Sequence, residues 1–415
     1  MSRYLFVVPP LAGHINPTVA VGRELERRGH TVAWVGHPEA VAALLPDGCQ
    51  LLAAGGDMTA TDLEVMHDRW LGLRGFAALR SLWDDVLLPI ARAMRDGVEA
   101  AVEAFGPNAV VADQQAITGA AVAWRRRLPW ATSATTFSEL GRPYAAMPAV
   151  EAWIADELRQ FALCSGVDPA EAHRGNLRFS DQLVLVFTSP ELAGSVEVAC
   201  SPVFVGPAIA ERPSEAAFAW DWLDPVDPVD PADPADASDT GRPTLGRRQR
   251  VLVSLGTHNG GAGDRFYRVL LEAVAKQRAS LQLILVAPSA SHTALGEVAD
   301  HVLVVDRVPQ LALLDQVDAV VTHGGLGTVS EALLAGKPMV VAPIRDDQPL
   351  IAERVEALGA GVRVSFGRAR AGELAAAIES VLREPTFAAA AHRAGDGLRA
   401  AGGAPAAADQ LEKLV

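Results

Sequence analysis

The chain is poor in cysteine, in aromatic residues and in long apolar runs. Its three cysteines, Cys49, Cys164 and Cys200, form no CxxC pair, which argues against a disulfide framework and a cysteine zinc site. No run approaches the roughly 18 apolar residues of a membrane-spanning helix. The apolar start at residues 4–8 runs into Pro9-Pro10 without a small-residue cleavage site. We therefore expect a cytoplasmic protein without a signal peptide or a membrane span.

An excess of basic residues is also absent, since the net charge is −14. A nucleic-acid partner needs a basic surface, so the net charge argues against this class of function. Much of the acidity is local, because an aspartate occupies every third position from Asp221 to Asp239 and a proline follows many of them. The repeat at 224–236 predicts an extended, solvated linker or insertion and lacks the glycine turn of an EF-hand.

The length of 415 residues predicts two domains, because single cores stop growing at roughly 250–300 residues. On both sides of the acidic tract, apolar runs typical of buried parallel strands alternate with helical stretches, which predicts two doubly wound α/β sheets. The predicted parts are an N-terminal domain at 1–207, a linker at 208–248, a C-terminal domain at 249–397, and a helical segment at 398–415 that packs back on the N-terminal domain.

The sequence predicts the bounds of the strands and the helix in the first βαβ unit. Residues 4–8 predict the first strand and 31–35 the second. Between them, Asn16-Pro17 resembles an N-cap followed by proline at the first helical position, which predicts a helix from Pro17 to Arg28 that ends at Gly29. His14 is then expected in the loop after the first strand.

Two segments, 58–88 and 137–161, carry large apolar side chains that can line an apolar cleft. The candidate residues are Trp70, Phe76, Trp83 and Phe137. Ordinary amphipathic helices packed on a core have the same spacing, so the pattern leaves both interpretations open.

The strongest chemical signal is a glycine-rich turn between a predicted strand at 319–322 and a helix expected to begin near Thr328. His323, Gly325 and Gly327 lie in the turn, and Glu331 lies one turn inside the helix. Glycines and a helix N-terminus expose backbone N–H groups to an anion, so a diphosphate site is predicted without a Walker lysine. The third glycine of a dinucleotide fingerprint is missing, which argues against a nicotinamide dehydrogenase.

Two further segments end predicted strands of the second half. Ser254 and Thr257 offer hydroxyls at the carboxyl end of its first strand, where open sheets bind ligands. Asp347-Gln348 places a carboxylate, which accepts hydrogen bonds, beside an amide, which also donates them. This combination can bind two vicinal sugar hydroxyls.

Together these motifs resemble glycosyltransferase family one, and most of all its bacterial branch acting on macrolides, other natural products and carotenoids. The matching segments span nearly the whole chain and are Gly13 to Pro17, Asp113, Val253 to Thr257, Val308 to Gln310, His323 to Glu331, and Asp347-Gln348. The resemblance implies the GT-B fold, in which two Rossmann-like domains face each other across a cleft.

The resemblance also implies catalytic roles. His14 matches the general base that takes the proton of the acceptor hydroxyl, and Asp113 matches the acid that orients and charges it. This is chemically reasonable, because histidine titrates near pH 6.5 and a nearby carboxylate favours the imidazolium formed during transfer.

For the nucleotide-sugar donor, similarity assigns roles to a set of residues in the second half. Arg307, Val308 and Gln310 match the nucleobase site; Ser254, Thr257, His323, Gly325, Gly327 and Thr328 the diphosphate site; Glu331 the ribose site; and Asp347 with Gln348 the sugar site. Arg307 stands where plant relatives have a tryptophan, and this departure leaves uridine and thymidine both open.

The function implied is an inverting O-glycosyltransferase that uses a UDP- or TDP-sugar and a small hydrophobic acceptor. The absence of an Asp-x-Asp triplet agrees with metal-independent chemistry and no other cofactor. The alternatives are a nucleotide-sugar epimerase of the same fold and a non-catalytic nucleotide-sugar-binding subunit. A monomer and a homodimer are both compatible with the sequence.

Overall fold

The computed structural model describes residues 1–194, 196, 202–209, 217–223, 248–256 and 263–415. The predicted Asp/Pro linker tract at 224–236 lies outside these residues. The chain forms two compact units. The first unit comprises Met1–Ser214, Arg345–Arg354 and Ala394–Val415, and the second unit comprises Glu215–Ile344 and Val355–Arg393.

The first unit contains a seven-stranded sheet in which every pairing is parallel, with the order β3-β2-β1-β4-β5-β6-β7. Its strands are β1 (Arg3–Val7), β2 (Thr31–Gly36), β3 (Leu51–Ala53), β4 (Ala109–Asp113), β5 (Trp130–Ala134), β6 (Leu183–Val186) and β7 (Val203–Phe204). The apolar runs at 4–8, 31–35, 109–112 and 183–187 predict β1, β2, β4 and β6, and the other three strands were missed.

The second unit contains a six-stranded parallel sheet with the order β10-β9-β8-β11-β12-β13. Its strands are β8 (Gln249–Ser254), β9 (Leu281–Val286), β10 (Val302–Val305), β11 (Ala319–Thr322), β12 (Met339–Val341) and β13 (Gly361–Arg363). All six agree to within one residue at either end with the apolar runs that predict strands, which are 250–254, 281–286, 302–305, 319–322, 339–342 and 361–364. The predicted class, two doubly wound α/β sheets, is confirmed.

Helices connect successive strands, as parallel pairing requires, and three more follow the last strand. From the N-terminus to β8 they are α1 (Ala12–Arg27), α2 (Pro38–Ala42), α3 (Ala60–Leu71), α4 (Gly75–Ser81), α5 (Leu88–Phe105), α6 (Ile117–Arg126), α7 (Pro148–Cys164), α8 (Pro169–Arg174) and α9 (Pro190–Ala193). From β8 onward they are α10 (Asp264–Val274), α11 (Ser289–Leu295), α12 (Gln310–Leu314), α13 (Leu326–Leu334), α14 (Gln348–Ala357), α15 (Ala371–Arg383), α16 (Pro385–Ala400) and α17 (Gly403–Leu414). Single turns of 3-10 helix lie at Phe137–Gly141, Trp220–Trp222 and Phe366–Arg368, and a π-turn at Leu82–Leu87 joins α4 to α5.

Strand β1 shows why the first sheet needs helices on both faces. Leu5 and Val7 belong to a buried apolar cluster that includes residues of α5 and α6. Tyr4 and Phe6 belong to another cluster, which includes residues of α1 and α17. Alternate residues of a strand point to opposite faces, so a continuous apolar run fits a sheet covered on both sides.

Helix α1 begins earlier than predicted. Its first residue is Ala12 and its N-cap is Leu11, so Pro17 lies inside the helix and not at its first position. The predicted end is confirmed, because the helix finishes at Arg27 and Gly29 follows with a φ of +86°. The residues that resembled a start signal therefore lie within the helix, and His14 falls in its first turn.

Both sheets reverse their strand order at one point. In the first sheet the reversal lies between β1 and β4, and in the second it lies between β8 and β11. Open α/β sheets bind ligands outside the carboxyl ends of the strands at such a switch point. None of the described helices is both long enough and apolar enough to span a bilayer.

Candidate active site

His14 and Asp113 lie on the two sides of the switch point of the first sheet. His14 is in the first turn of α1, directly after β1, and its backbone N–H donates to the carbonyl of Leu11 at 2.9 Å. Asp113 is the last residue of β4. Its Oδ1 lies 2.9 Å from Nδ1 of His14. The structure thus brings the predicted pair together, with His14 on a helix where the sequence suggested a loop.

Thr135, which the sequence did not single out, completes this cluster. It follows β5, the neighbour of β4 in the sheet. Its Oγ1 is 2.7 Å from Nδ1 of His14 and donates to Oδ2 of Asp113 at 3.1 Å. The paired positions of β4 and β5 bring the end of each strand to the same edge, which explains the contact.

The carboxylate of Asp113 is buried, and three groups satisfy it. The backbone N–H of Gln115 donates to Oδ1 at 2.9 Å, and this bond adds to those from His14 and Thr135. A buried charge is tolerated only when it is paired and hydrogen-bonded in this way. These hydrogen bonds compensate the burial of a side chain that has no exposed surface.

The pKa of His14 is raised by its surroundings. Burial by itself lowers the pKa, because it penalises the imidazolium, but the charge and the hydrogen bond of Asp113 act in the opposite direction. The carboxylates of Asp347 and Glu139 add to this effect, and the net shift is upward. The imidazolium of His14 is thus favoured relative to a histidine in water.

Asp347 and Gln348, the predicted sugar-binding pair, lie in the segment Arg345–Arg354, which belongs to the first unit. Burial raises the pKa of Asp347 to about 7, and the neighbouring Asp346 carboxylate adds to the shift. Gln348 accepts the backbone N–H of Arg345 at 3.1 Å and is itself buried. Throughout the described ranges, no group of three or more His, Cys, Asp or Glu side chains is placed to hold a metal ion.

The four candidate acceptor residues divide into two kinds. Trp83 and Phe137 are buried, with 3% and 1% of their surface exposed, and Trp83 belongs to the core cluster of the first unit. Trp70 is half-buried and donates its indole N–H to the carbonyl of Ala78 at 3.1 Å. Phe76 is 56% exposed. Of the four, Phe76 presents the largest accessible fraction to a ligand.

In the second unit, the ring of His323 fills a narrow space between two glycine backbones. A Cβ atom on Gly256 would lie 2.7 Å from Cε1 of His323, and one on Gly325 would lie 2.6 Å from Nε2. Gly256 also has a φ of +78°, a conformation that side chains other than glycine rarely adopt. The glycines on either side of the switch point of the second sheet therefore set the position of this imidazole.

Helix α13 begins at Leu326 with Gly325 as its N-cap, two residues earlier than predicted. Gly327 and Thr328 thus occupy the first turn, where backbone N–H groups have no acceptor within the helix. Ser254 lies beside this turn, because its register partner in the sheet is Thr322 at the end of β11. The predicted diphosphate residues Ser254, His323, Gly325, Gly327 and Thr328 are clustered at one edge, while Thr257 lies outside the described residues.

Two of the predicted nucleoside residues, Gln310 and Glu331, contact each other beside α13. Gln310 donates its amide N–H to Oε2 of Glu331 at 2.6 Å, so the base candidate and the ribose candidate are in direct contact. Glu331 is buried within α13. Arg307 is exposed and Val308 is half-buried, and both precede α12, which Gln310 begins.

The chain is similar in sequence and in fold to known proteins. Residues 268–414 match the family model of the erythromycin biosynthesis protein CIII-like C-terminal domain, EryCIII-like_C. Elloramycin glycosyltransferase ElmGT of Streptomyces olivaceus is 38% identical over 177 residues, which are 42% of this chain and 42% of the relative. Demethyllactenocin mycarosyltransferase of Streptomyces fradiae is 26% identical over 100% of this chain and 87% of its own length.

The solved structures extend the match to the whole fold. The crystal structure of the glycotransferase of kitacinnamycin superimposes with a TM-score of 0.73 at 28% sequence identity, and it covers 100% of this chain and 99% of that protein. The resemblance seen in the motifs is thereby confirmed, as is the predicted fold class. The chain is a glycosyltransferase with the GT-B fold, and its residues 268–414 match the EryCIII-like C-terminal domain.

Proposed function

We propose that this glycosyltransferase is an inverting O-glycosyltransferase that moves a sugar from a UDP- or TDP-sugar to a hydroxyl of a small hydrophobic acceptor. The observation that carries the proposal is the contact of 2.9 Å between His14 Nδ1 and Asp113 Oδ1 at the switch point of the first sheet. A base oriented by a buried carboxylate is the arrangement that activates a hydroxyl nucleophile.

In the proposed reaction, Nε2 of His14 takes the proton of the acceptor hydroxyl as its oxygen attacks the anomeric carbon. The bond between that carbon and the diphosphate oxygen breaks, and the nucleoside diphosphate leaves with the electron pair. Attack from the face opposite the leaving group inverts the anomeric centre. Asp113 remains ionised and stabilises the imidazolium that forms.

For the donor, we assign the diphosphate to the first turn of α13, where Gly327 and Thr328 offer backbone N–H groups, and to His323. Fixed donors at a helix N-terminus stabilise the charge that develops on a leaving diphosphate, so the proposed reaction does not require a metal ion. Gln310 and Glu331 are assigned to the nucleoside. Asp347 and Gln348 are assigned to the sugar hydroxyls.

The acceptor is proposed to be an apolar natural product such as a polyketide, macrolide, phenol or carotenoid. Two observations support this class. The relatives named above are transferases of natural products by name, and the segments 58–88 and 137–161 expose apolar side chains, among them Val65, Phe76 and Met147.

The test is mass spectrometry of a panel of phenols, macrolides and carotenoid alcohols incubated with UDP- and TDP-sugars. We expect the acceptor mass to increase by one glycosyl residue, and NMR of the product to show an inverted anomeric centre. His14→Ala should abolish transfer and leave the binding of UDP or TDP nearly unchanged. Wild-type turnover in that variant would remove His14 from its role, and retention of configuration would contradict the single displacement.

The same samples discriminate against the two alternatives. An epimerase would convert the sugar of the donor without any acceptor, which NMR of the donor alone detects. A non-catalytic subunit would bind the nucleotide sugar and leave every acceptor unchanged. The comparisons do not favour either alternative, because the relatives are named as transferases.

A further inference from the structure

Thr135 contacts both members of the His14–Asp113 pair and belongs to no motif of the chain. Its hydroxyl is 2.7 Å from Nδ1 of His14 and 3.1 Å from Oδ2 of Asp113. The residue is only 8% exposed. Its position is fixed by β5, whose five residues are all buried. A buried hydroxyl with two such partners has few possible arrangements of its hydrogen atom.

The number of available donor hydrogens decides how Thr135, His14 and Asp113 are hydrogen-bonded. The Asp113 carboxylate, when ionised, only accepts hydrogen bonds, and the hydroxyl of Thr135 has one hydrogen to give. If that hydrogen pointed to Nδ1 of His14, Oδ2 of Asp113 would lose this donor. The lone pair of Nδ1 would then also face the carboxylate oxygen Oδ1 at 2.9 Å. This arrangement places two acceptors against each other in a buried site.

The remaining arrangement gives each of the three contacts one donor and one acceptor. Thr135 donates to Oδ2 of Asp113, and Nδ1–H of His14 donates both to Oδ1 of Asp113 and to the oxygen of Thr135. The proton of a neutral imidazole is then on Nδ1, and the lone pair is on Nε2. Nε2 is the atom that a general base needs in its unprotonated form.

We propose that Thr135 is a positioning residue that holds His14 in the Nδ1–H tautomer and fixes the plane of its ring, so that Nε2 carries the lone pair. The proposal rests on the proposed function, in which His14 is the base. Thr135 itself touches no reacting atom. When His14 takes the acceptor proton on Nε2, the Nδ1–H bond and the hydroxyl of Thr135 keep their hydrogens, and no proton passes through the threonine.

The experiment compares three variants of the full chain. Thr135→Val removes the hydroxyl with little change of shape, and Thr135→Ser restores it. Thr136→Val is the matched control, since Thr136 bonds Gln114 through its backbone N–H and carbonyl, which valine keeps. Nitrogen-15 NMR of the imidazole in the neutral state reports the tautomer of His14, whether or not the enzyme turns over. Steady-state kinetics report kcat and KM for both substrates.

We expect Thr135→Val to lower kcat about tenfold with both KM values changed by less than about twofold, since one hydrogen bond to the base is lost. The His14 spectrum should show a larger share of the Nε2–H tautomer than in the wild type, because Nδ1–H keeps Oδ1 of Asp113 as an acceptor but loses the oxygen of Thr135. Thr135→Ser and Thr136→Val should keep the wild-type spectrum and kcat. Thermal unfolding of each variant shows whether the fold is intact.

A Thr135→Val protein that keeps both the Nδ1–H spectrum and the wild-type kcat would overturn the inference and leave the proposed function in place. A wild-type His14 in the Nε2–H form would also overturn it. If His14→Ala keeps full activity, the proposed function fails, and the tautomer measurement still decides whether Thr135 positions the ring.

Discussion

The ring of His323 lies so close to Gly325 that a Cβ atom added to this glycine would be 2.6 Å from Nε2 of the imidazole. The backbone of Gly325 has a φ of −65°, which alanine also adopts, so the conflict is with the ring and not with the backbone. Gly256 confines the ring from a second direction. The imidazole therefore cannot move away freely when a methyl group is introduced.

We predict that Gly325→Ala lowers the midpoint of thermal unfolding and weakens the binding of UDP and TDP. Overpacking of this kind costs about 1–3 kcal/mol, and the displaced His323 loses its assigned position toward the diphosphate. Gly327→Ala is the matched control, because a Cβ there meets no protein atom within 4 Å. Its midpoint should stay the same or rise, since alanine is favoured over glycine in helices. Wild-type stability and affinity in Gly325→Ala would show that the ring is not held as described.

The pH dependence of transfer should report His14. The pKa of His14 is raised above 6.5. Because the base is active only when neutral, kcat/KM should rise with pH along an acid limb, and the midpoint of this rise should lie above pH 6.5. Replacing Asp113 with asparagine removes the charge that opposes the effect of burial. The limb of Asp113→Asn should therefore move to lower pH, while kcat falls by roughly 10²–10⁴.

The measurement is kcat/KM from about pH 5 to about pH 9, together with an NMR titration of the His14 ring in the free enzyme. Glu139→Gln is the control with a smaller expected effect, because Glu139 contributes a smaller part of the upward shift in the pKa of His14. An acid limb that stays in place in Asp113→Asn would mean that another group controls the rate.

The contact between Gln310 and Glu331 gives a separate test of the nucleoside site. Glu331→Ala leaves the amide N–H of Gln310 without the acceptor it has at 2.6 Å, which should cost about 1–3 kcal/mol in the free energy of unfolding. Glu331→Gln keeps an oxygen that can accept and should cost less. Urea unfolding measures both effects.

If Glu331 also binds the ribose, Glu331→Ala should weaken UDP binding more than it weakens binding of 2′,3′-dideoxy-UDP, which lacks both ribose hydroxyls. Isothermal titration calorimetry with the two nucleotides gives this comparison directly. Equal losses would assign the whole effect to the fold of α12 and α13, and Glu331 would then have no contact with the ribose.

The sequence predicted the sheets well where strands are apolar on both faces. Val251 and Val253, for example, are buried within a continuous apolar run, which is typical of a parallel strand with helices on both faces of its sheet. It missed β5, because Trp130–Ala134 is built largely of Ala, Thr and Ser and has no apolar run. β5 pairs with β4 and β6 inside the sheet, and this tertiary pairing is not visible in local composition. Because β5 was not predicted, Thr135, which directly follows it, was not recognised as a residue of the site.

The site shows a second limit. His14 and Asp113 are 99 residues apart, and the resemblance to known enzymes, not spacing, connected them. The start of α1 was misread because Asn16-Pro17 fits a helix start, while the actual N-cap, Leu11, makes no side-chain capping bond. A local start signal is therefore a weak guide to where a helix begins within a folded domain.

The two apolar candidates Phe76 and Trp83 are only seven residues apart, and replacing each with alanine should separate acceptor binding from stability. Trp83 is 3% exposed within the core of the first unit, so Trp83→Ala should lower the free energy of unfolding by about 3–5 kcal/mol. Phe76 is 56% exposed and meets Trp153 edge-on at 6.3 Å, so Phe76→Ala should cost less than about 1 kcal/mol.

If Phe76 contacts the acceptor, Phe76→Ala should raise KM for an apolar acceptor by about tenfold and leave KM for the nucleotide sugar unchanged, because the lost burial of a phenyl ring is worth about 1.5–3 kcal/mol. Trp220 is the control, an aromatic residue of the second unit that is 43% exposed and has no assigned role toward the acceptor. Trp220→Ala should change neither KM. If Phe76→Ala and Trp220→Ala give the same acceptor KM, Phe76 does not contact the acceptor, and its exposure has no part in choosing the substrate.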